Sequence, residues 1–459
     1  MRRALLLALA LAPALARAAQ ESLPPLPPLP PPPPGLEARR PLDPEDYRRK
    51  NERGYVTGLP LANYDPNTGA GFGVRAYYYW NGPRDNPLFA YTPYLQRVFL
   101  QLFFTTGGLQ FHWLDYDVPS IAGSPYRFRS QLIYLRNTDE HYFGLGSQAM
   151  APLGYPGSPT AYSSFSSYAA DLQRVDAQGR TYARYDSYVH AEPLGLFSIE
   201  RTFLHGLLRP LFGLGLSYHV VEDYTGKRVR AAGGAEATMA DTRLHDDCAA
   251  ARIEGCGGGW DNFLRFGISF DTRDFEPDPN RGVFADAALD LGLRALGSRQ
   301  QWARLLVSPR VYYSPIPRVA DLVLAWRGTF QLQSTSMPFF QMKFIPWTED
   351  PRSGLGGVRT MRGFKQDRFV GPVMTLSNAE IRWTFYRFQV LRQKIGLIAA
   401  PFLDLGAVWD RLTAVRLGGW KRAQGMALRL SWNLATIVTI DYGWSREDTG
   451  LYINFNHIF

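Results

Sequence analysis

From about Gly69 onward the chain divides into short segments in which apolar and polar side chains alternate, separated by glycine, proline, asparagine and aspartate. A period of two predicts strands with one apolar and one polar face. Between Gly282 and Arg294, Val283, Ala285, Ala287, Leu289, Leu291 and Leu293 share one side, opposite Phe284, Asp286, Asp290 and Arg294. Farther on, Met426, Leu428, Leu430 and Trp432 oppose Arg429 and Ser431, and Val438, Ile440, Tyr442 and Trp444 oppose Thr439, Asp441 and Gly443. The same signal predicts strands near 70–80, 95–106, 109–117, 125–136, 141–149, 183–203, 207–222, 259–271, 281–296, 302–314, 321–333, 372–385, 394–409, 421–432, 435–445 and 450–459. That is about sixteen, an even number as single-chain bacterial barrels require. Short connections at Gly107-Gly108, His205-Gly206, Pro315 to Pro317 and Asn433 contrast with long ones at 81–94, 150–182, 223–258 and 334–371.

A soluble antiparallel sheet shows the same alternation, so the surroundings decide. The opening MRRALLLALALAPALARAAQ has the basic, apolar and small-residue parts of a secretory signal, expected over residues 1–18. A proline-rich periplasmic spacer is expected over 19–68, because consecutive prolines favour an extended chain without backbone donors. No later stretch is a helix-length apolar run, so a mature chain entering a membrane would do so with strands. The expected fold is all-β: a transmembrane antiparallel β-barrel over residues 69–459 in the bacterial outer membrane. A mean hydropathy of -0.21 with 14% aromatic residues fits alternating faces, which average toward neutrality.

The net charge of +9 points to an anionic lipopolysaccharide and lipid surface rather than nucleic acid, which an exported protein rarely meets. Cys248 and Cys256 lie close together in one long connection and are expected to pair in an oxidising compartment. The seven histidines follow no linear metal-ligand spacing, and Asp246, Asp247 and Glu254 do not complete a calcium pattern. No nucleophile elbow, phosphate loop or dinucleotide fingerprint stands in a credible context. No metal, cofactor or enzymatic activity is therefore expected.

The stretch with the sharpest chemistry is Gly354 to Phe385. A glycine-rich loop carries Arg362-Gly363-Phe364 and leads into a strand with Asn378, Glu380 and Arg382 on one face and Ala379, Ile381, Trp383 and Phe385 on the other. The following strand places Phe402, Asp404 and Gly406 on one face. The text GGVRTMRGF, the Phe-x-Asp-x-Gly pattern of Phe402, Asp404 and Gly406, and the turn DTRDFEPDPNRG together resemble the BamA/TamA (bacterial surface antigen) superfamily. The closing strand, with Leu451, Ile453, Phe455, His457 and terminal Phe459 on one side, resembles the signal by which outer-membrane barrels are recognised, although His457 departs from its usual residue.

The resemblance implies a sixteen-stranded barrel whose sixth extracellular loop folds into the lumen, tipped by Arg362, Gly363 and Phe364. Its lumenal neighbours would be Glu380, Arg382, Phe402, Asp404 and Gly406. A guanidinium drawn out of water needs compensating acceptors, which Asp404 and Glu380 can supply. Gly363 would permit a tight turn and Phe364 would pack against inward aromatics such as Phe402. The inserting and transporting relatives carry periplasmic POTRA domains, for which this sequence leaves no room between signal and first strand, so a POTRA-less member is expected. The implied role is assistance in membrane-protein insertion, translocation or envelope maintenance, with barrel-protein substrates or periplasmic partners. A passive porin-like channel and an outer-membrane hydrolase are the alternatives.

Overall fold

The computed structural model describes residues 31–32, 41–42, 47–48, 50–65, 69–158, 161–274, 278–317, 319–348, 352–390, 393–432, 436–455 and 457–459. The signal expected over 1–18 lies outside them, as does most of the expected spacer. Among the described residues, sixteen strands follow one another as an antiparallel meander: β1 (Arg53–Asp65), β2 (Gly69–Gly82), β3 (Gln96–Thr105), β4 (Gln110–Val118), β5 (Tyr126–His141), β6 (Ser187–Arg201), β7 (Leu208–Glu222), β8 (Phe263–Asp271), β9 (Gly282–Gly292), β10 (Trp302–Tyr313), β11 (Leu322–Gln333), β12 (Val373–Val390), β13 (Gln393–Trp409), β14 (Lys421–Trp432), β15 (Thr436–Ser445) and β16 (Thr449–Phe455). The two-residue strand Gly259–Trp260 also pairs with β7, ahead of β8.

The expected closed transmembrane barrel is not what the structure contains. β1 pairs with β2 and β16 with β15, and among the described residues no ladder joins β1 to β16, so no sheet closes into a barrel. The physical reason lies partly in the last residues. β16 stops at Phe455, and His457, Ile458 and Phe459 turn onto one face of the sheet instead of extending its edge. The closing strand expected over 450–459 is thereby shortened to seven residues. Among the described residues, no helix is long and apolar enough to cross a membrane.

Two further expectations change. The strand expected over 141–149 gives way to the single-turn helix Ser147–Met150, because Gly144 and Gly146 adopt positive φ values of 87° and 55° that an extended strand does not use. Tyr142 and Phe143 instead pack into two aromatic clusters of the long connections. In the other direction, β1 lies inside the stretch read as spacer, so the first strand is Arg53–Asp65 rather than the one near 70–80.

The two faces of the sheet differ in kind. One is apolar and bare: Met426 faces Tyr442 and Leu428 faces Ile440 across β14 and β15, and Ile440 in turn faces Ile453, which is 73% exposed. A bare apolar surface of this extent marks contact with lipid or with another protein. The other face carries buried charged groups and is covered by the connection 334–371, whose Trp347, Leu355, Met361, Phe364 and Phe369 form a core with Met374, Leu376 and Val408 of the sheet. Helix Arg243–Ala249, capped by the Thr242 side chain, belongs to another connection, and there Cys248 and Cys256 form a disulfide.

Candidate functional site

β12 and β13 are paired so that Asn378 stands opposite Asp404, Glu380 opposite Phe402, and Leu376 opposite Gly406. Opposite residues share a face, so alternation alone delivers an amide, two carboxylates and an aromatic ring to one patch beneath connection 334–371. Arg362 descends into this patch and is fully buried. Its Nε and Nη2 donate to the two oxygens of Asp404, each at 2.9 Å, in the fork geometry that suits guanidinium and carboxylate. Its backbone N–H donates to the same carboxylate at 3.1 Å. Nη1 donates to Glu380 Oε1 and to Asp441 Oδ2, both at 2.9 Å, and the guanidinium carbon lies 3.3 Å from the centre of the Phe402 ring.

Burying one cation against three anions would be untenable without further positive charge. Arg382 donates to Glu380 at 2.9 Å and Arg429 at 2.6 Å and 2.9 Å, so three guanidiniums face three carboxylates. Burial alone would lower the pKa of Arg362, but the charges of Asp404, Glu380 and Asp441 overcome it and hold the group above its ordinary value, fixing the charge. Asn378 ties the patch to the loop backbone, donating to Asp404 at 2.7 Å and to the Thr360 carbonyl at 2.6 Å.

Small residues let the loop approach this closely. Gly363 has φ 100°, and a Cβ there would meet the Trp444 backbone at 2.8 Å. A Cβ on Gly406 would come within 2.3 Å of Met361 Sδ, and one on Gly443 within 2.7 Å of Arg362 itself. The Gly363 N–H donates to the Tyr452 hydroxyl at 3.1 Å, and its carbonyl accepts from Ser445 Oγ at 2.7 Å. The tip therefore touches β12, β13, β15 and β16 at once. Phe364 does not pack on Phe402 as expected from sequence. Phe402 lies under the Arg362 guanidinium, and Phe364 meets Phe369 edge-on at 5.1 Å.

Farther from the tip, Lys343 pairs with Glu140 at 2.5 Å and Asp367 at 3.4 Å, Arg352 pairs with Glu192, and Arg368 pairs with Glu447 at 2.5 Å. Burial would lower the Lys343 pKa, yet Glu140 raises it above the usual ammonium range. Burial pushes the Asp367 carboxyl up to about 6 against the opposing pull of Lys343.

Of the two residues read as a closing-strand signal, Phe455 pairs through its backbone with Val438. Phe459 is buried, its ring over Arg327 at 4.9 Å and Arg382 at 5.1 Å, and its carbonyl accepts from Arg382 at 2.8 Å. Its ring packs on the charged face of the sheet. Phe459→Ala is expected to lower stability by about 2 kcal/mol in guanidinium unfolding, the scale of one buried aromatic side chain. A loss below about 0.5 kcal/mol, within the range of an ordinary surface substitution, would count against that packing role.

The sequence of residues 114–456 matches the Omp85 superfamily domain. The chain belongs to the Omp85 superfamily. Residues 33–95 match a domain of unknown function, DUF5982, which takes in β1 and β2. Among solved structures the chain is similar to BamA from Haemophilus ducreyi lacking POTRA domains 1-3, with 13% identity, 89% of this chain and 70% of that chain covered, and a TM-score of 0.49. It is also similar to CdiB from Escherichia coli, at 12% identity, 88% and 61% coverage and a TM-score of 0.47. For CdiB from Acinetobacter baumannii the values are 10%, 88% and 60%, and 0.40. No curated protein matches the sequence. The assignment therefore rests on the domain match. Omp85 membership supports an outer-membrane location and a general part in protein transport or insertion there, and it assigns the chain no enzymatic activity.

Proposed function

We propose that this Omp85 protein assists the insertion or translocation of other polypeptides at the outer membrane, using the free edges of β1 and β16 as templates for an incoming strand. The observation that carries this reading is the missing ladder between β1 and β16 among the described residues. Each edge strand retains a row of backbone donors and acceptors, and such groups need partners. An extended segment can supply them by adding itself as a strand.

Arg362 serves this role indirectly. By bridging β12, β13 and β15 it holds the sheet leading to the β16 edge in one geometry, so a template of fixed register is offered. The bare apolar face would lie against membrane lipid and lipopolysaccharide acyl chains. A passive channel calls for an open polar face, and connection 334–371 is packed over it instead.

The test is photo-crosslinking from single positions in cells. Probes at Val56 in β1 and Leu451 in β16 are expected to capture outer-membrane polypeptides during their assembly, whereas a probe at Phe266 in β8, in mid-sheet, is not. Equal capture at all three sites, or none at the edges, would refute the template role.

A further inference from the structure

A second cluster lies on the covered face away from Arg362. His190 and Glu192 stand two apart on β6, and His219 on neighbouring β7, all at most 1% exposed. His190 Nε2 is 3.0 Å from His219 Nδ1, and Glu192 Oε1 is 3.6 Å from His219 Nε2. One ligand atom from each residue lies within 4.8 Å of those of the other two. We propose that His190, Glu192 and His219 bind a divalent transition-metal ion of the zinc class, stapling β6 to β7 beneath connection 334–371.

Desolvation of two imidazoles this deeply buried favours the neutral form of both, and the hydrogen bonds then fix where each hydrogen sits. Ser217 Oγ gives its hydrogen to the Asp261 carbonyl at 2.7 Å, so it must accept from His219 Nε2 at 3.0 Å. His219 Nδ1 is then a bare acceptor, and the hydrogen between the two rings belongs to His190 Nε2. Both imidazoles are neutral, the form that ligates metal. This arrangement leaves His190 Nδ1 and Glu192 Oε1 buried without a partner, a state that buried polar atoms rarely keep. An ion between the two rings would replace the shared ring hydrogen, which moves to His190 Nδ1, and would draw Glu192 Oε1 over from the Nε2 side of His219.

Geometry and donor chemistry both permit it. Ligand atoms around a tetrahedral ion at the usual bond lengths stand about 3.3 Å apart, so closure requires shifts of about an ångström. Two imidazoles and one carboxylate suit zinc-class ions better than calcium or magnesium, which prefer oxygen alone. Arg352 is paired with Glu192 through Oε2, which leaves Oε1 available to an ion. Phe340 from connection 334–371 stacks on His219 at 4.1 Å, placing the ion where it would also steady the loop.

The test uses the full chain in detergent, stripped with chelator and then loaded with Zn2+ or Co2+. One ion per chain is expected to survive desalting, and the Co2+ form should show the visible bands of a low-symmetry nitrogen and oxygen site. Glu192→Gln and His219→Gln are each expected to weaken binding by at least tenfold. Either variant binding as tightly as the wild type would overturn the proposal. So would a wild-type chain, folded by circular dichroism, that retains no ion or gives only the spectrum of hydrated Co2+. The wild-type readout keeps the test decisive even if a variant does not fold, and it is independent of the strand-template role.

Discussion

Replacing Arg362 by alanine is expected to lower folding stability by about 3–5 kcal/mol, because removing one partner strands buried charges that were desolvated together. Asp404, Glu380 and Asp441 would lose their shared cation, and Arg382 and Arg429 compensate only Glu380 at hydrogen-bond distance. Arg362→Lys keeps the charge but cannot fork to Asp404 and reach Glu380 and Asp441 together, so it should recover only part of the loss. Equilibrium unfolding in guanidinium reads both variants. A loss below about 1 kcal/mol for Arg362→Ala would place the guanidinium at the surface, where ion pairs contribute little.

The second large effect is expected at Gly363, through the backbone rather than charge. Valine there would need a positive φ that a β-branched residue avoids and would drive its Cβ into the Trp444 main chain. Backbone strain of about 1–3 kcal/mol and overpacking of about 1–3 kcal/mol act together, enough to lift the tip from β15 and β16. Limited proteolysis follows this directly: connection 334–371 should become cleavable in Gly363→Val while remaining protected in the wild type. Unchanged protection would mean that the tip does not depend on this close approach.

Much of this site was legible in the chain because alternation is local. Asn378, Glu380 and Arg382 fall on one face by count, as do Phe402 and Asp404, and one antiparallel pairing brings the sets together. Asp441 showed the same polar alternation but no linear signal linked it to Arg362, since their contact spans 79 residues of sequence. Partner choice among aromatics was not legible either, because Phe364 and Phe369 lie in a connection without a periodic pattern and only the loop's path decides which ring each one meets. His190-x-Glu192 was readable as a same-face pair, but its third member lies on another strand with no fixed offset.

Errors in the fold came where local rules compete. Tyr142 and Phe143 look like strand residues, but the positive φ values of Gly144 and Gly146 turn the chain away. β1 was hidden by Gly54, Gly58 and Pro60, which interrupt the alternation on an edge strand that tolerates them. Closure was expected because Phe455, His457 and Phe459 share a period-two face, yet the attraction of Phe459 for Arg327 and Arg382 draws the last residues inward. Nothing in a single strand's pattern reports that competition, which is decided by charges more than 75 positions away.

A double-mutant cycle between Arg362 and Asp404 tests the pinned loop most directly. Arg362→Ala, Asp404→Ala and the double variant are compared with the wild type by equilibrium unfolding. A coupling of about 2–3 kcal/mol is expected for a buried, forked pair. Additivity within about 0.5 kcal/mol would show that the two groups do not hold each other, and would contradict the arrangement on which the fixed sheet geometry rests.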